Sequence, residues 1–336
     1  MSGTRLRVGL IGAGWVTQYH LRGWAALADR VEIVAIADPS ETARATRMRE
    51  FGIPAGFASA QEMLDTCALD AVDIAAPRAA HAEMVRLAAG KGLAILCQKP
   101  LAPTLAEARQ MVADLPPGIR LMVHENWRFR AYYREAAAWL RAGDIGTPFA
   151  ARLALVTSGT LPDAQGHLPA VERQPFIRHE RRMLVSEILI HHLDTLRMLL
   201  GPLEVASCTL ARICPDIAGE DTAIIQLNGA HGLSVQVFAC LAAHGHPPAA
   251  ADRLEILGTQ GALTLDNGVL SLAGTTQRRA DFDLAATYQG SYDATIAHFV
   301  ARLDEGAPFE TSPEDNLETL LVVEDCYRLA GREDMR

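Results

Sequence analysis

Three groups of residues in this chain have the types and spacing to do chemistry. The first is Lys99, in Gln98-Lys99-Pro100, directly after the apolar run Leu93 to Cys97. A lysine at the end of a buried strand can exchange a proton where its surroundings favour the neutral amine. The same lysine would also serve as a solvated turn residue. The second is Glu187 with His191, four residues apart in an apolar stretch that also holds His192 and Asp194. On a helix this spacing puts carboxylate and imidazole on one face, where the acid can fix the tautomer of a proton-transferring histidine. A salt-bridged helix face would show the same pattern. One helix with no second ligand cluster gives no expectation of a metal. The third is Gly12-Ala13-Gly14-Trp15-Val16-Thr17, followed by Asp38.

Residues Arg5 to Ile11 read as a buried strand, the segment from Thr17 to about Leu27 as an amphipathic helix, and Val31 to Ala37 as a second strand. Strand, glycine turn, helix, strand and acid follow in the order of a dinucleotide-binding unit. Gly12 allows the tight turn. Gly14 lets main chain approach a pyrophosphate that the helix N-terminus, from Ala13, Trp15 and Val16 onward, stabilises. Asp38 stands where a carboxylate meets a ribose 2′-hydroxyl. Thr17 occupies the place of the usual third glycine.

Strands and helices go on alternating to about residue 125. Helices are expected at Ser40 to Phe51, Ala60 to Thr66, His81 to Ala89 and Thr104 to Asp114, the last opened by a Thr104/Glu107 capping box. Strands are expected at Ala71 to Ala76, Leu93 to Cys97 and Ile119 to His124. This is an α/β Rossmann domain, a doubly wound parallel sheet. Pro77 and His81, and the run His124 to Phe129 with Asn126 and Arg128, follow strand ends, where ligands bind in such folds. From Phe149 the pattern changes. A strand leads into an irregular stretch, 158–180, then a helix from Leu184 to Leu200, then five strands without helices between them. Helices from Ser291 to Glu305 and from Pro313, with Ser312 as N-cap, close the chain. The expectation is an NAD-binding domain over 1–125, closed by the helix at 313–331. A substrate-binding α+β domain with a large, mostly antiparallel open sheet covers 126–312.

The 336 residues are 49% hydrophobic and 21% charged, with a net charge of −9. An acidic chain with no concentrated basic patch is not built to follow a phosphate backbone, so no nucleic-acid partner is expected. The sequence holds no long apolar span and no signal-peptide pattern, so no membrane association and a cytoplasmic location are expected. Six cysteines without a Cys-x-x-Cys pair read as free, mostly buried thiols.

Nearly the whole chain resembles the Gfo/Idh/MocA family of pyridine-nucleotide oxidoreductases. The resemblance rests on Gly12-Ala13-Gly14, Pro77 with His81, the run Gly92 to Pro100, Asn126 to Phe129, and Glu187-x-x-x-His191-x-x-Asp194 leading to Leu199-Leu200-Gly201. It implies that Lys99 is catalytic and carries the family's acid and histidine roles to Glu187 and His191. Three departures stand out. Gln98 replaces the usual glutamate before the lysine, Glu187 replaces a shorter aspartate, and Arg181-Arg182-Met183-Leu184 replaces a glycine-rich approach.

Together these readings predict an NAD-dependent dehydrogenase acting on an aldose, with Lys99 and His191 sharing the proton and Glu187 orienting His191. Asn126, Arg128, Phe176 and Arg182 would position the remaining substrate hydroxyls. Pro77, His81, Gln98 and Asn126 would line the cofactor. NAD is expected over NADP, since Asp38 would repel a 2′-phosphate. A polyol or inositol dehydrogenase, a sugar reductase, and a cofactor-binding sensor without turnover stay open, the last favoured by Gln98. A homodimer or homotetramer through the second sheet is expected, as in the family.

Overall fold

The computed structural model describes residues 5–249 and 251–332. Two compact units divide the chain, Met1–Phe129 with Tyr288–Leu320, and Arg130–Thr287 with Leu321–Arg336.

The first unit is built on six parallel strands: β1 (Leu6–Ile11), β2 (Val31–Ala37), β3 (Ala55–Phe57), β4 (Ala71–Ile74), β5 (Ala94–Gln98) and β6 (Leu121–His124). Their order across the sheet is β3-β2-β1-β4-β5-β6. The chain moves outward from β1 to β3 and then returns to the other side of β1. That reversal, between β1 and β4, is where ligands sit in open α/β sheets. Strands β4 and β6 are buried along their whole length, which is why they read as unbroken apolar runs apart from Asp73 and His124.

The core packs Val8, Leu10, Leu21, Trp24, Ile36, Leu96 and Met122 with Ile296, Phe299 and Val300. The last three lie on the helix Leu284–Glu305, which the expected boundary at 312 assigns to the second domain. From Tyr288 onward it belongs to the first unit. Apolar periodicity shows that a helix has a face to bury, not which sheet receives it. Gly23 marks the contact, since a Cβ there would stand 2.7 Å from the Ile296 side chain. The helix Pro313–Leu329 begins in the first unit and crosses into the second at Leu321.

The second unit carries β7 (Pro148–Val156), β8 (Leu203–Ala211), β9 (Thr222–Gly229), β10 (Ser234–Cys240), β11 (Arg253–Gly258), β12 (Gly261–Asp266), β13 (Val269–Gly274) and β14 (Arg278–Asp281). They form one sheet in the order β14-β13-β12-β11-β7-β10-β9-β8, antiparallel except for β7 beside β10. Burial alternates along β10, the pattern of a sheet with two different faces. The helices Ala131–Arg141 and Ile190–Leu200 also belong to this unit. The sequence pattern missed β3, β13, β14 and the helix Ala131–Arg141. The 158–180 stretch contains a short helix, Pro169–Arg173, and a 3-10 turn, Pro175–Arg178. It is tied down by Thr160, whose amide and hydroxyl both donate to the Leu241 carbonyl at 2.9 and 2.8 Å.

Candidate active site

The glycine turn leaves β1 at Gly12, whose φ is +106°. A Cβ on Gly12 would stand 2.5 Å from the Ala75 carbonyl oxygen, so glycine is required by the approach of β1 to the end of β4. Gly14 differs, because a Cβ there would meet nothing within 4 Å. The protein's own packing does not use that space, and a pyrophosphate lying against the main chain would. Thr17 is buried and donates its hydroxyl to the Gly12 carbonyl at 3.1 Å, holding the turn where a third glycine would otherwise stand. Trp15 is 39% exposed beside it. Asp38 closes the turn. One carboxylate oxygen accepts from the Ala13 amide at 2.7 Å and the other from the Ser40 amide at 2.8 Å. Arg44 donates to the Asp38 carbonyl and Arg47 to the Gly14 carbonyl at 3.1 Å. The turn, the open space at Gly14 and the placed carboxylate together fit a dinucleotide.

The ends of β4, β5 and β6 lie at the same edge of the parallel sheet. Lys99 directly follows β5, before a cis peptide bond to Pro100. Gln98, the last residue of β5, accepts from the Lys99 amide at 2.9 Å, while its amide nitrogen stands 2.9 Å from Nε2 of His20. His81 is buried. Its ring nitrogens lie 2.9 Å from the Pro100 carbonyl and 2.9 Å from the Ala76 carbonyl, so the ring fastens together the segments that follow β4 and β5. Pro77 stands between that carbonyl and the turn Arg78–Ala80. Asn126 donates to the Ser291 hydroxyl at 2.7 Å. Arg128 is buried against Asp315 at 2.6 Å and also donates to the Glu310 carbonyl at 3.3 Å. A guanidinium paired in this way fixes the segment after β6.

In the second unit Glu187 lies on a π-helical turn, Leu184–Leu189, that runs directly into the helix carrying His191. The expected single α-helix over 184–200 is therefore two kinds of helix. Its first amides are capped by Glu220, whose carboxylate accepts from Met183 at 3.4 Å and Val185 at 3.1 Å, and from the Tyr327 hydroxyl at 2.6 Å. Burial pushes the Glu220 carboxyl above the usual range, partly opposed by the Tyr327 hydrogen bond. Short π segments of this kind recur at functional sites. Arg182 pairs with Glu324 at 2.9 Å and lies over the Tyr327 ring at 4.1 Å, so this departure from the family pattern packs against the closing helix. Phe176 is 44% exposed on the 3-10 turn.

His192, one residue beyond His191, sits between the Ile188 carbonyl at 3.1 Å and an Asp252 oxygen at 2.8 Å. Asp252 also accepts from Tyr133 at 2.8 Å and faces Arg130 at 3.7 Å. Burial alone would raise the Asp252 carboxyl. The charges of His192 and Arg130, with hydrogen bonds from His192 and Tyr133, overcome this and hold it well below the usual carboxylate range. Asp252 and Glu220 lie far in sequence from what they hold, and nothing local marks them. Asp73 could have been found, because it is the one polar residue in Ala71-Val72-Asp73-Ile74. Among the described residues, no group of three or more His, Cys, Asp or Glu is placed to hold a metal ion, and no helix is long and apolar enough to cross a membrane.

The model of an oxidoreductase family with an NAD-binding Rossmann fold matches residues 6–116, and that of the GFO/IDH/MocA C-terminal domain matches residues 133–264. The chain is 34% identical to a D-apiose dehydrogenase of Paraburkholderia graminis, over 98% of this chain and 88% of that protein. A D-apiose dehydrogenase of Rhizobium rhizogenes is 30% identical over 98% and 97%. The crystal structure of an oxidoreductase from Agrobacterium radiobacter in complex with NAD+, L-tartaric acid and magnesium superposes with a TM-score of 0.90. It is 29% identical, covering 98% of this chain and 97% of that one.

Proposed function

The chain belongs to the Gfo/Idh/MocA family of NAD-binding oxidoreductases, and from that premise we propose that it oxidises an aldose such as D-apiose. The observation that carries this reading is the position of Lys99. It follows the C-terminal end of β5, in the same parallel sheet whose β1 ends in the Gly12–Gly14 turn.

The residues divide the work as follows. Main chain from Gly12 to Val16 would hold the pyrophosphate, and Asp38 the ribose hydroxyl. Pro77, His81 and Gln98 would shape the wall beside the nicotinamide. NAD supplies the hydride acceptor. Lys99 Nζ takes the proton from the reacting hydroxyl, His191 is the second proton station, and Glu187 sets the tautomer of His191. Asn126 and Phe176 would meet the remaining hydroxyls. Arg128 and Arg182 act on the same groups through the segments that their ion pairs tie down. Gln98, the feature that favours a cofactor-binding sensor, has both ends of its side chain in hydrogen bonds, to His20 and to the Lys99 amide, so its place is also explained in an active enzyme.

The outer face of the second sheet carries Ile224 opposite Phe238, both exposed, and would be buried between subunits. Light scattering would give the subunit number.

The deciding experiment measures NAD reduction across a panel holding D-apiose, xylose, glucose and myo-inositol. A marked preference for D-apiose supports the reading. Preference for myo-inositol makes it a polyol dehydrogenase. Bound NAD with no turnover on any of them overturns the aldose assignment.

A further inference from the structure

Three side chains of the first unit form one hydrogen-bonded chain that ends on the main chain of Lys99. Asp73 on β4 is 0% exposed, His20 is 0% and Gln98 is 8%. Asp73 Oδ2 lies 2.8 Å from His20 Nδ1 and also accepts from the Trp24 indole at 2.7 Å. His20 Nε2 lies 2.9 Å from the Gln98 amide nitrogen, and Gln98 Oε1 accepts from the Lys99 amide at 2.9 Å.

The direction of this chain follows from its last link. A main-chain N–H can only donate, so the Gln98 atom facing Lys99 is the carbonyl oxygen and the atom facing His20 is the NH2. His20 Nε2 must then accept, which leaves the ring proton on Nδ1, donated to Asp73. The other groups around His20 are His124 of β6, stacked at 4.2 Å, and Tyr292 of the helix Leu284–Glu305, at 5.4 Å.

We infer that Asp73, His20 and Gln98 are positioning residues that hold Lys99 through its main chain, with His20 neutral and protonated on Nδ1. The inference rests on the reading of Lys99 as the proton-transfer group. It also gives the glutamine at 98 a purpose. A glutamate carboxylate there has no N–H to offer His20 Nε2, so the pair would need one added proton to keep the chain closed.

Neutron diffraction from crystals of the perdeuterated wild-type protein tests the chain without any variant. Deuterium on His20 Nδ1 and none on Nε2 supports it, and deuterium on Nε2 overturns it. Kinetics test what the chain does. Gln98→Leu breaks both links and should lower kcat on the order of 10-fold to 100-fold, the scale of a misplacement of about 1 Å. Gln98→Glu keeps the acceptor for the Lys99 amide and should restore most of that kcat at acid pH, where one added proton closes the gap to His20 Nε2. It should lose the gain as pH rises. Wild-type kcat in Gln98→Leu, or the same pH profile in Gln98→Glu as in the wild type, overturns the positioning role. Full turnover in Lys99→Ala overturns the Lys99 reading instead and leaves the deuterium positions to judge the chain.

Discussion

The carboxylate of Asp38 accepts a hydrogen bond from the Ala13 amide at 2.7 Å, so the acid after β2 and the glycine turn after β1 form one unit. Asp38→Ser removes that link and the negative charge. The KM for NAD should rise about 10-fold to 100-fold, matching the ~1.5–3 kcal/mol of a charge-assisted hydrogen bond. Use of NADP should improve in the same variant, because Arg44 and Arg47 already bracket the turn. Steady-state kinetics with both cofactors check this. An unchanged preference for NAD would remove Asp38 as its cause.

Gly12 and Gly14 should respond oppositely to alanine. At Gly12 the positive φ and the Ala75 carbonyl make Gly12→Ala costly, about 1–3 kcal/mol for the strained backbone. At Gly14 nothing is near, so Gly14→Ala should leave the melting temperature unchanged while weakening NAD binding. Thermal unfolding with and without NAD separates the two. A Gly14→Ala protein that binds NAD as tightly as the wild type would show that the open space is not for the cofactor.

Lys99→Ala should lower kcat by roughly 10²–10⁴-fold, the range supplied by one general acid or base. Binding of NAD, followed by fluorescence, should change far less. Loss of binding with intact turnover at saturating NAD would make Lys99 a cofactor ligand and not a proton carrier.

Asp252 and Glu220 should move stability with pH in opposite senses. Asp252 is depressed in the fold, so its contribution is fully present above the unfolded carboxyl value, ~3.9, and is lost as pH falls through the lower folded value. Glu220 is raised, so its contribution is present below ~4.3 and is lost as pH rises through its higher folded value. Asp252→Asn leaves His192 and Arg130 without their anion and should cost about 3–5 kcal/mol at neutral pH. Denaturant unfolding across a pH series reads both. A wild-type-like stability for Asp252→Asn would mean the cluster does not anchor the helix that bears His191.

Features made by near neighbours along the chain were readable before any fold was known. The Gly12 turn, the Thr104/Glu107 capping box and the Ser312 cap form among residues a few positions apart, and each stands as read. The parallel sheet followed from mostly apolar strands alternating with helices, because a strand covered on both faces needs few polar residues. The place of Lys99 just past β5 was legible because the apolar run stops abruptly before it.

What only the tertiary structure decided are the pairings of polar groups across the chain. His20 meets Asp73 across 53 residues, His192 meets Asp252 across 60, and Arg128 meets Asp315 across 187. Nothing in the sequence pairs Arg128 with Asp315 or Arg182 with Glu324. The π turn at Glu187 starts on amides capped by Glu220, a residue on no shared local pattern. A buried charge takes whichever partner packing brings within reach. That partner is set by where helices and strands land, which periodicity along the chain does not encode.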